Sequence, residues 1–242
     1  MTDIFEQYEN DLFEKYNKVR ILEETEQRTK YLVRERETDT LRVIEILPRG
    51  NVKVYNKLSK SENFNLLKIV SVHELPESQL AVVEEYIEGA QTFQDKVDSG
   101  IKAGEFEDYI LQIYDVLVYL NTLKNPIAHK NICSDNILID TEDVVKLTGF
   151  EQAEFNGNPE TEIKTYGKLI QNAGSAYKKK YRQLIDDCLN LNITLVDIRK
   201  GIYSAKRVLG MQRAAFIMII ALIMIILRVI WTFTRIGNRF LR

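Results

Sequence analysis

The 242-residue chain has room for one domain of ordinary size, and its 45% hydrophobic and 28% charged residues indicate a folded protein rather than a disordered one. Its two cysteines belong to no paired motif, which argues against a disulfide framework or a zinc ribbon. With only two histidines, a metal site would have to be built from carboxylates. Residues 206–242 carry a charge of +7, which leaves −9 on the other 205 residues, and such an acidic body is not typical of a nucleic-acid-binding protein.

The first 90 residues have the pattern of a sheet with one helix. Helical spacing of apolar residues predicts a helix over 51–58. Runs of apolar and β-branched residues predict strands at 16–21, 30–35, 40–47, 66–72 and 79–86.

Beyond Gly89 the pattern becomes helical. An apolar stripe from Phe106 to Leu120 predicts one long helix that stops before Pro126. Two short strands are predicted at 137–139 and 144–147, and further helices follow. The last helix before the apolar C-terminal segment is predicted to begin with a capping box formed by Thr194 and Asp197.

Residues 214–227 include no polar residue, and the apolar run resumes after Arg228. Extended to residue 233, the segment has the roughly 20 residues that a membrane-spanning helix needs. Arg228 could then snorkel to the headgroups, Trp231 would lie at the interface, and Arg213 and Arg235 flank the span. A buried core helix and a surface helix are the alternatives, but a run that is apolar on all sides has no polar face to present to water. We therefore predict a single-pass tail anchor, with the N-terminal domain in the cytoplasm.

Four stretches of the body resemble motifs of protein kinases. The stretch YILQIYDVLVYLNTLKNPIAHKNICSDNILI resembles the long helix of the larger kinase lobe and the catalytic loop, which reads HRDxxxxN in kinases. VVKLTGFEQA resembles the next strand with the DFG turn, EEYIEG the hinge between the lobes, and EIKTYGKLI the helix with the D-x-x-x-x-G pattern. Their order and spacing make the resemblance specific, and it covers roughly residues 16–205.

Several positions that handle nucleotide in kinases hold other residues here. Phosphoryl transfer requires groups that position phosphate and metal, and a carboxylate at the nucleophile. The turn EETEQRT lacks the glycines that let backbone amides approach phosphates. Glu45 stands at the position of the strand-three lysine, Asn131 at that of the catalytic aspartate, and Gly149 at that of the DFG aspartate. Asn136 matches a metal ligand of active kinases, but without carboxylate partners we interpret it as a loop-closing hydrogen-bond donor, and we expect no bound metal or cofactor.

Other matching positions are interpreted as structural. His129 and Phe150 are expected to stack in the core, joined by Tyr55 from the helix of the smaller lobe. Glu84 falls near the gatekeeper position at the back of the cleft, where a buried acid needs either water or a basic partner; both remain open. The Lys178–Lys180 run is interpreted as a solvated helix face, with contact to anionic lipid as the alternative.

The resemblance predicts an α+β, two-lobed protein-kinase-like fold with a truncated C-lobe, followed by one C-terminal transmembrane helix. The predicted divisions of the chain are an N-terminal extension (1–15), the N-lobe (16–88), the reduced C-lobe (89–205), a basic juxtamembrane segment (206–213), the transmembrane helix (214–233) and a short basic tail (234–242).

These features predict a catalytically inactive, membrane-anchored pseudokinase that acts as a scaffold or allosteric regulator. Its protein partner would be an active kinase, a membrane complex or a second copy of the chain. An unorthodox nucleotide-binding transferase or nucleotide sensor is an alternative, in which Asp135 or Glu151 would converge with Asn136 on a metal. A second alternative is a structural subunit that oligomerises through its anchor, where Gly210 and Ala214 offer a small-residue surface.

Overall fold

A five-stranded antiparallel sheet with one helix makes up the N-terminal half of the protein. In the computed structural model, the description covers residues 11–26, 28–48, 50–205 and 217–224. After the short helix α1 (Asp11–Glu14), the elements are β1 (Tyr16–Glu24), β2 (Thr29–Glu35), β3 (Leu41–Leu47), α2 (Val52–Leu58), β4 (Ile69–Glu74) and β5 (Leu80–Glu85). The strands are ordered β1–β2–β3–β5–β4 across the sheet.

The central strands β3 and β5 are covered on both faces, which explains why they read as nearly continuous apolar runs. Side chains alternate between the faces. Ile44 and Val83 pack into a small cluster on one face, whereas Leu47 and Val82 join the main core on the other. Glu45, between these residues, is therefore directed to the main-core face and is fully buried.

The second half is mostly helical and is organised around one central helix. Its elements are β6 (Gln91–Thr92), α3 (Phe93–Asp98), α4 (Ala103–Thr122), β7 (Ile127–Ala128), β8 (Ile137–Ile139), β9 (Val145–Leu147), β10 (Glu154–Phe155), α5 (Pro159–Asn172), α6 (Ser175–Lys180) and α7 (Arg182–Leu189). A 3₁₀ turn, Leu195–Asp197, then continues into a helix over 198–205. The predicted apolar stripe of α4 is buried, and this helix ends before Pro126 as expected.

The predicted order of five strands and one helix is confirmed, with the element ends displaced by no more than three residues. The fourth strand begins at Ile69 instead of Leu66, because Leu66 forms an isolated bridge with Leu147. The predicted capping box is wrong: the Thr194 hydroxyl donates to the Asp197 carboxylate at 2.7 Å and accepts no backbone N–H.

The predicted solvated lysine face also needs a partial correction. Lys178 and Lys179 are exposed, as expected. Lys180 instead turns inward, and its ammonium lies 3.3 Å from the largely buried carboxylate of Glu107.

Residues 217–224 form a helix in which every residue is exposed. Within the described ranges, no helix combines the length and apolar character required to cross a membrane. Most of the predicted anchor over 214–233, together with Arg213, Arg228, Trp231 and Arg235, lies outside the described residues.

Candidate functional site

The loop after β7 is held by a buried histidine. The ring of His129 packs on that of Phe150 with centroids 4.5 Å apart, and its Nε2 lies 2.8 Å from the Thr148 carbonyl oxygen. Burial lowers the pKa of His129 to about 4. The ring is therefore neutral near pH 7, donates from Nε2 to that carbonyl, and accepts the Asn131 backbone N–H at Nδ1. Phe150 and the fully buried Tyr55 belong to the main core, and His129 is also fully buried.

Glu162 on α5 ties the same loop to the helical half. One of its carboxylate oxygens accepts the backbone N–H of Lys130 at 2.7 Å. Lys130 adopts a left-handed backbone conformation with φ of 67°, so this bond supports a bend that a non-glycine residue seldom adopts. Burial raises the pKa of Glu162 to about 7. Glu162 thus fixes the backbone on which His129 and Asn131 are placed.

Asn136 occupies the space in which a side chain at position 149 would lie. A Cβ added to Gly149 would come within 2.2 Å of the Asn136 Oδ1, and Gly149 has φ of +77°. The Asn136 amide nitrogen donates to the Asn131 carbonyl at 3.0 Å and thereby closes the loop. An aspartate at position 149 would require Asn136 to move. The observed position of the Asn136 side chain therefore depends on the absence of a side chain at Gly149.

Arg28, just before β2, extends into the cleft between the sheet and the helical half. Its Nε donates to Glu23 at 2.8 Å, and its guanidinium donates to the Asn136 Oδ1 at 3.2 Å. The guanidinium also lies 3.8 Å from Glu45 and 3.9 Å from Glu151. A cation from the turn that we had read only as glycine-free therefore bridges the two halves.

A second buried cation balances the carboxylate at the strand-three position. Lys30 lies opposite Glu45 in the register of β2 and β3, and its ammonium is 3.3 Å from that carboxylate. Burial, followed by the charge of Glu45, raises the pKa of Glu84 to about 8, while Lys30 and Arg28 oppose the rise. Near pH 7 Glu84 is therefore mainly protonated. The sequence left open whether water or a basic residue accompanies this buried acid. In the structure the basic residues near it are Lys30 and Arg28, and burial keeps the acid mainly protonated.

A polar cavity of about 440 Å³ opens beside these groups and is lined mainly by residues of the β1–β2 turn and the catalytic loop. Asn131 donates to Glu151 at 3.4 Å, and Cys133 is half-buried at the rim of the loop. Burial raises the pKa of the Cys133 thiol, which agrees with a neutral side chain. The cavity brings Asp135 and Asn136 of the catalytic loop together with Glu151, which comes from a later segment.

The residues present do not form a magnesium site of the kind that kinases use. Asn136 has its carbonyl oxygen bonded to Arg28, and Gly149 offers no side chain. In the part of the chain that the structure describes, no cluster of three histidine, cysteine or acidic residues is arranged to hold a metal ion.

Comparison with known proteins establishes the family. Residues 25–169, more than half of the chain, match the family of protein tyrosine and serine/threonine kinases. This chain therefore belongs to the protein kinase family. It is 25% identical over 159 residues to a protein from Dictyostelium discoideum named a probable serine/threonine-protein kinase, which covers 63% of this chain and 30% of that relative. It is also 32% identical over 78 residues to a probable serine/threonine-protein kinase, the KIN1 homolog of Encephalitozoon cuniculi, covering 32% of this chain and 13% of that relative.

These relatives contradict our prediction that the domain is catalytically inactive. Both are named as serine/threonine kinases, which points to a kinase, at distant identity. The prediction rested on the residues at the motif positions: Asp135 and Glu151 were considered only for the nucleotide-binding alternative, and the cations near Glu45 were not considered. In the structure Lys30 approaches Glu45 from the adjacent strand, and Glu151 lines the cavity beside Asn136. Arg28 and Lys30 were both missed, although the pairing of Lys30 with Glu45 follows from the hairpin register.

Proposed function

We propose that this kinase-family domain is held at a membrane and acts by regulating or scaffolding a protein partner. The observation that carries the proposal is the bridge from Arg28 to Asn136 and Glu151, since it joins the two halves with the chain's own residues. A domain whose halves are held in one arrangement presents a preformed surface, and binding to such a surface has a smaller ordering cost. The candidate partners are an active kinase, a membrane complex and a second copy of the chain.

The exposed apolar helix supports the membrane part of the proposal. Its large side chains at 217–220 and 222–224 are all exposed, from 46% at Ile220 to 68% at Met218. Contiguous exposed apolar surface of this kind is rare in water and suits a lipid environment. Free cysteines are typical of a reducing compartment, which supports the proposal that the kinase-family domain faces the cytoplasm.

A second candidate function is phosphotransfer to serine or threonine, or nucleotide sensing in an unorthodox pose. The names of the relatives favour it, and so does the presence of Asp135, Asn136 and Glu151 on one cavity. In this case the two carboxylates, rather than the residues at the aspartate positions of the motifs, would supply the negative groups that phosphoryl transfer requires.

A single substitution separates the two functions. Asp135→Asn removes one carboxylate of the cavity, keeps the shape of the side chain and leaves the bridge from Arg28 to Asn136 and Glu151 in place. A regulator or scaffold predicts that this variant replaces the wild type fully in cells that lack the chain. Loss of function equal to deletion, together with loss of radiolabel transfer from ATP by the purified full chain, would favour phosphotransfer. Equal thermal midpoints of variant and wild type would establish that folding is not the cause.

The membrane part is tested by a charge in the apolar helix. Ile223→Arg should release the full chain from membranes during carbonate extraction, because an arginine at the centre of a span costs about 3 kcal/mol. Ile223→Leu is the matched control and should stay in the pellet. Recovery of wild type and both variants in the supernatant would reject membrane anchoring.

A further inference from the structure

The turn between β1 and β2 is shaped so that Arg28 faces the cleft. The hydroxyl of Thr25 accepts the Arg28 backbone N–H at 3.1 Å and donates to the Arg28 carbonyl oxygen at 3.1 Å. Glu23 then holds the side chain from within the same half, with its carboxylate 2.8 Å from the Arg28 Nε. Contacts within the sheet half therefore fix the orientation of the guanidinium, independently of its contacts with the helical half.

The guanidinium joins oxygen atoms from both halves of the domain. Glu23 and Glu45 belong to the sheet half, whereas Asn136 and Glu151 belong to the helical half. The Arg28 side chain is only 11% exposed, so these contacts are shielded from water. Hydrogen bonds of a charged group in such surroundings contribute more than those at a surface.

Opening the cleft would therefore separate charges. The halves cannot move apart at the turn without breaking the bond to Asn136 and removing the positive charge from Glu151, whose second carboxylate oxygen is buried without a hydrogen-bond partner among the described residues. Leaving a buried carboxylate without its counter-ion is costly. The charge of Arg28 thus stabilises the closed arrangement specifically.

We propose that Arg28 is an autoinhibitory latch that closes the cleft over Asn136 and Cys133. The cavity beside the catalytic loop becomes fully accessible only when the guanidinium leaves Asn136 and Glu151. A ligand that reaches the base of the cleft must displace this arginine. The latch is independent of the partner or the reaction that the domain serves.

The two cysteines provide a built-in test. Cys133 lines the latched cavity, whereas Cys188 on α7 is fully buried, and its Cβ packs on Gly167 of α5. In the full chain in nonionic detergent, Arg28→Met should speed the alkylation of Cys133 by N-ethylmaleimide roughly tenfold and leave Cys188 unreactive. Mass spectrometry of the two cysteine-containing peptides measures both rates.

Electrostatics alone would act in the opposite direction. Although burial has the larger effect on Cys133, the charge of Arg28 lowers the pKa of its thiol. Loss of Arg28 therefore reduces the thiolate fraction, and faster alkylation must come from increased access.

Arg34→Met is the matched control, because Arg34 lies on β2, the strand that Arg28 precedes, but pairs with the exposed Asp39 at 3.3 Å. It should leave the Cys133 rate unchanged. An unchanged Cys133 rate in Arg28→Met would overturn the proposal. If Cys188 also reacts in Arg28→Met, the variant has unfolded, and the Cys133 alkylation rate is measured in Glu23→Gln instead. That variant weakens only the orientation of Arg28, so faster Cys133 alkylation supports the latch and an unchanged rate rejects it.

Discussion

The buried acid Glu84 should make the stability of the domain depend on pH. The residue is 2% exposed, and the pKa of its carboxyl is raised from 4.5 to about 8 by burial and then by the charge of Glu45. Between these two values the folded state holds a proton that the unfolded state has released. The free energy of unfolding therefore falls as pH rises from about 4.5 to about 8, and this contribution is fully present only below 4.5.

The expected size follows from the shift. Each pKa unit corresponds to about 1.4 kcal/mol, so an increase from pH 5 to pH 8 should cost roughly 3 kcal/mol from this group. Because Glu84 and Glu45 interact, part of the proton uptake belongs to Glu45, so 3 kcal/mol is an upper limit for the effect of Glu84 alone. Replacing Glu84 by glutamine keeps the shape and removes the titration.

Urea unfolding of the wild type and of Glu84→Gln at pH 5, 6, 7 and 8 measures the effect. The two should be close in stability at pH 5, and the variant should become progressively more stable than the wild type toward pH 8. Glu162, with a pKa of about 7, and His129, with one of about 4, titrate in both proteins and cancel in the difference. Parallel stability curves across this pH range would refute the buried, protonated state of Glu84.

Two further substitutions test the contacts of Gly149 and of Lys180. Gly149→Ala should cost about 2 to 4 kcal/mol in urea unfolding, because its Cβ would meet Asn136 at 2.2 Å. Gly100→Ala, with φ of +89° but open space around it, should cost about 1 kcal/mol, and equal costs would contradict crowding at Gly149. Lys180→Met should lower the free energy of unfolding by about 2 kcal/mol, since it removes a cation from the buried Glu107 carboxylate. The exposed Lys178→Met should change it by no more than about 0.5 kcal/mol, and the same loss in both would reject the Lys180 pair.

The arrangement of elements could be predicted because it depends on local patterns. Alternating and continuous apolar runs located the five strands, and the stripe from Phe106 to Leu120 located the long helix. The kinase motifs added the positions of His129 and Phe150, whose rings pack together, and of Asn136 and Gly149, which lie in contact. The family match supports that reading over 25–169.

The charged network of the cleft was only partly accessible from the sequence. Lys30 could have been found by counting outward from the turn at 36–39, since antiparallel pairing places it opposite Glu45. Arg28 could not, because it lies in a turn without a repeating pattern and its partner Asn136 is 108 residues away. The inward position of Lys180 likewise depends on the packing of α6 on α4, which a run of three lysines does not reveal.

A double-mutant cycle between Arg28 and Asn136 tests most directly whether the cleft is joined by the chain's own residues. The free energies of unfolding of the wild type, Arg28→Met, Asn136→Ala and the double variant yield the coupling between the two side chains, while separate effects such as the Asn136 bond to the Asn131 carbonyl cancel. A charged, shielded hydrogen bond at 3.2 Å predicts a coupling of about 1.5 kcal/mol. Additive effects of the two substitutions would contradict a direct bridge between the halves of the domain.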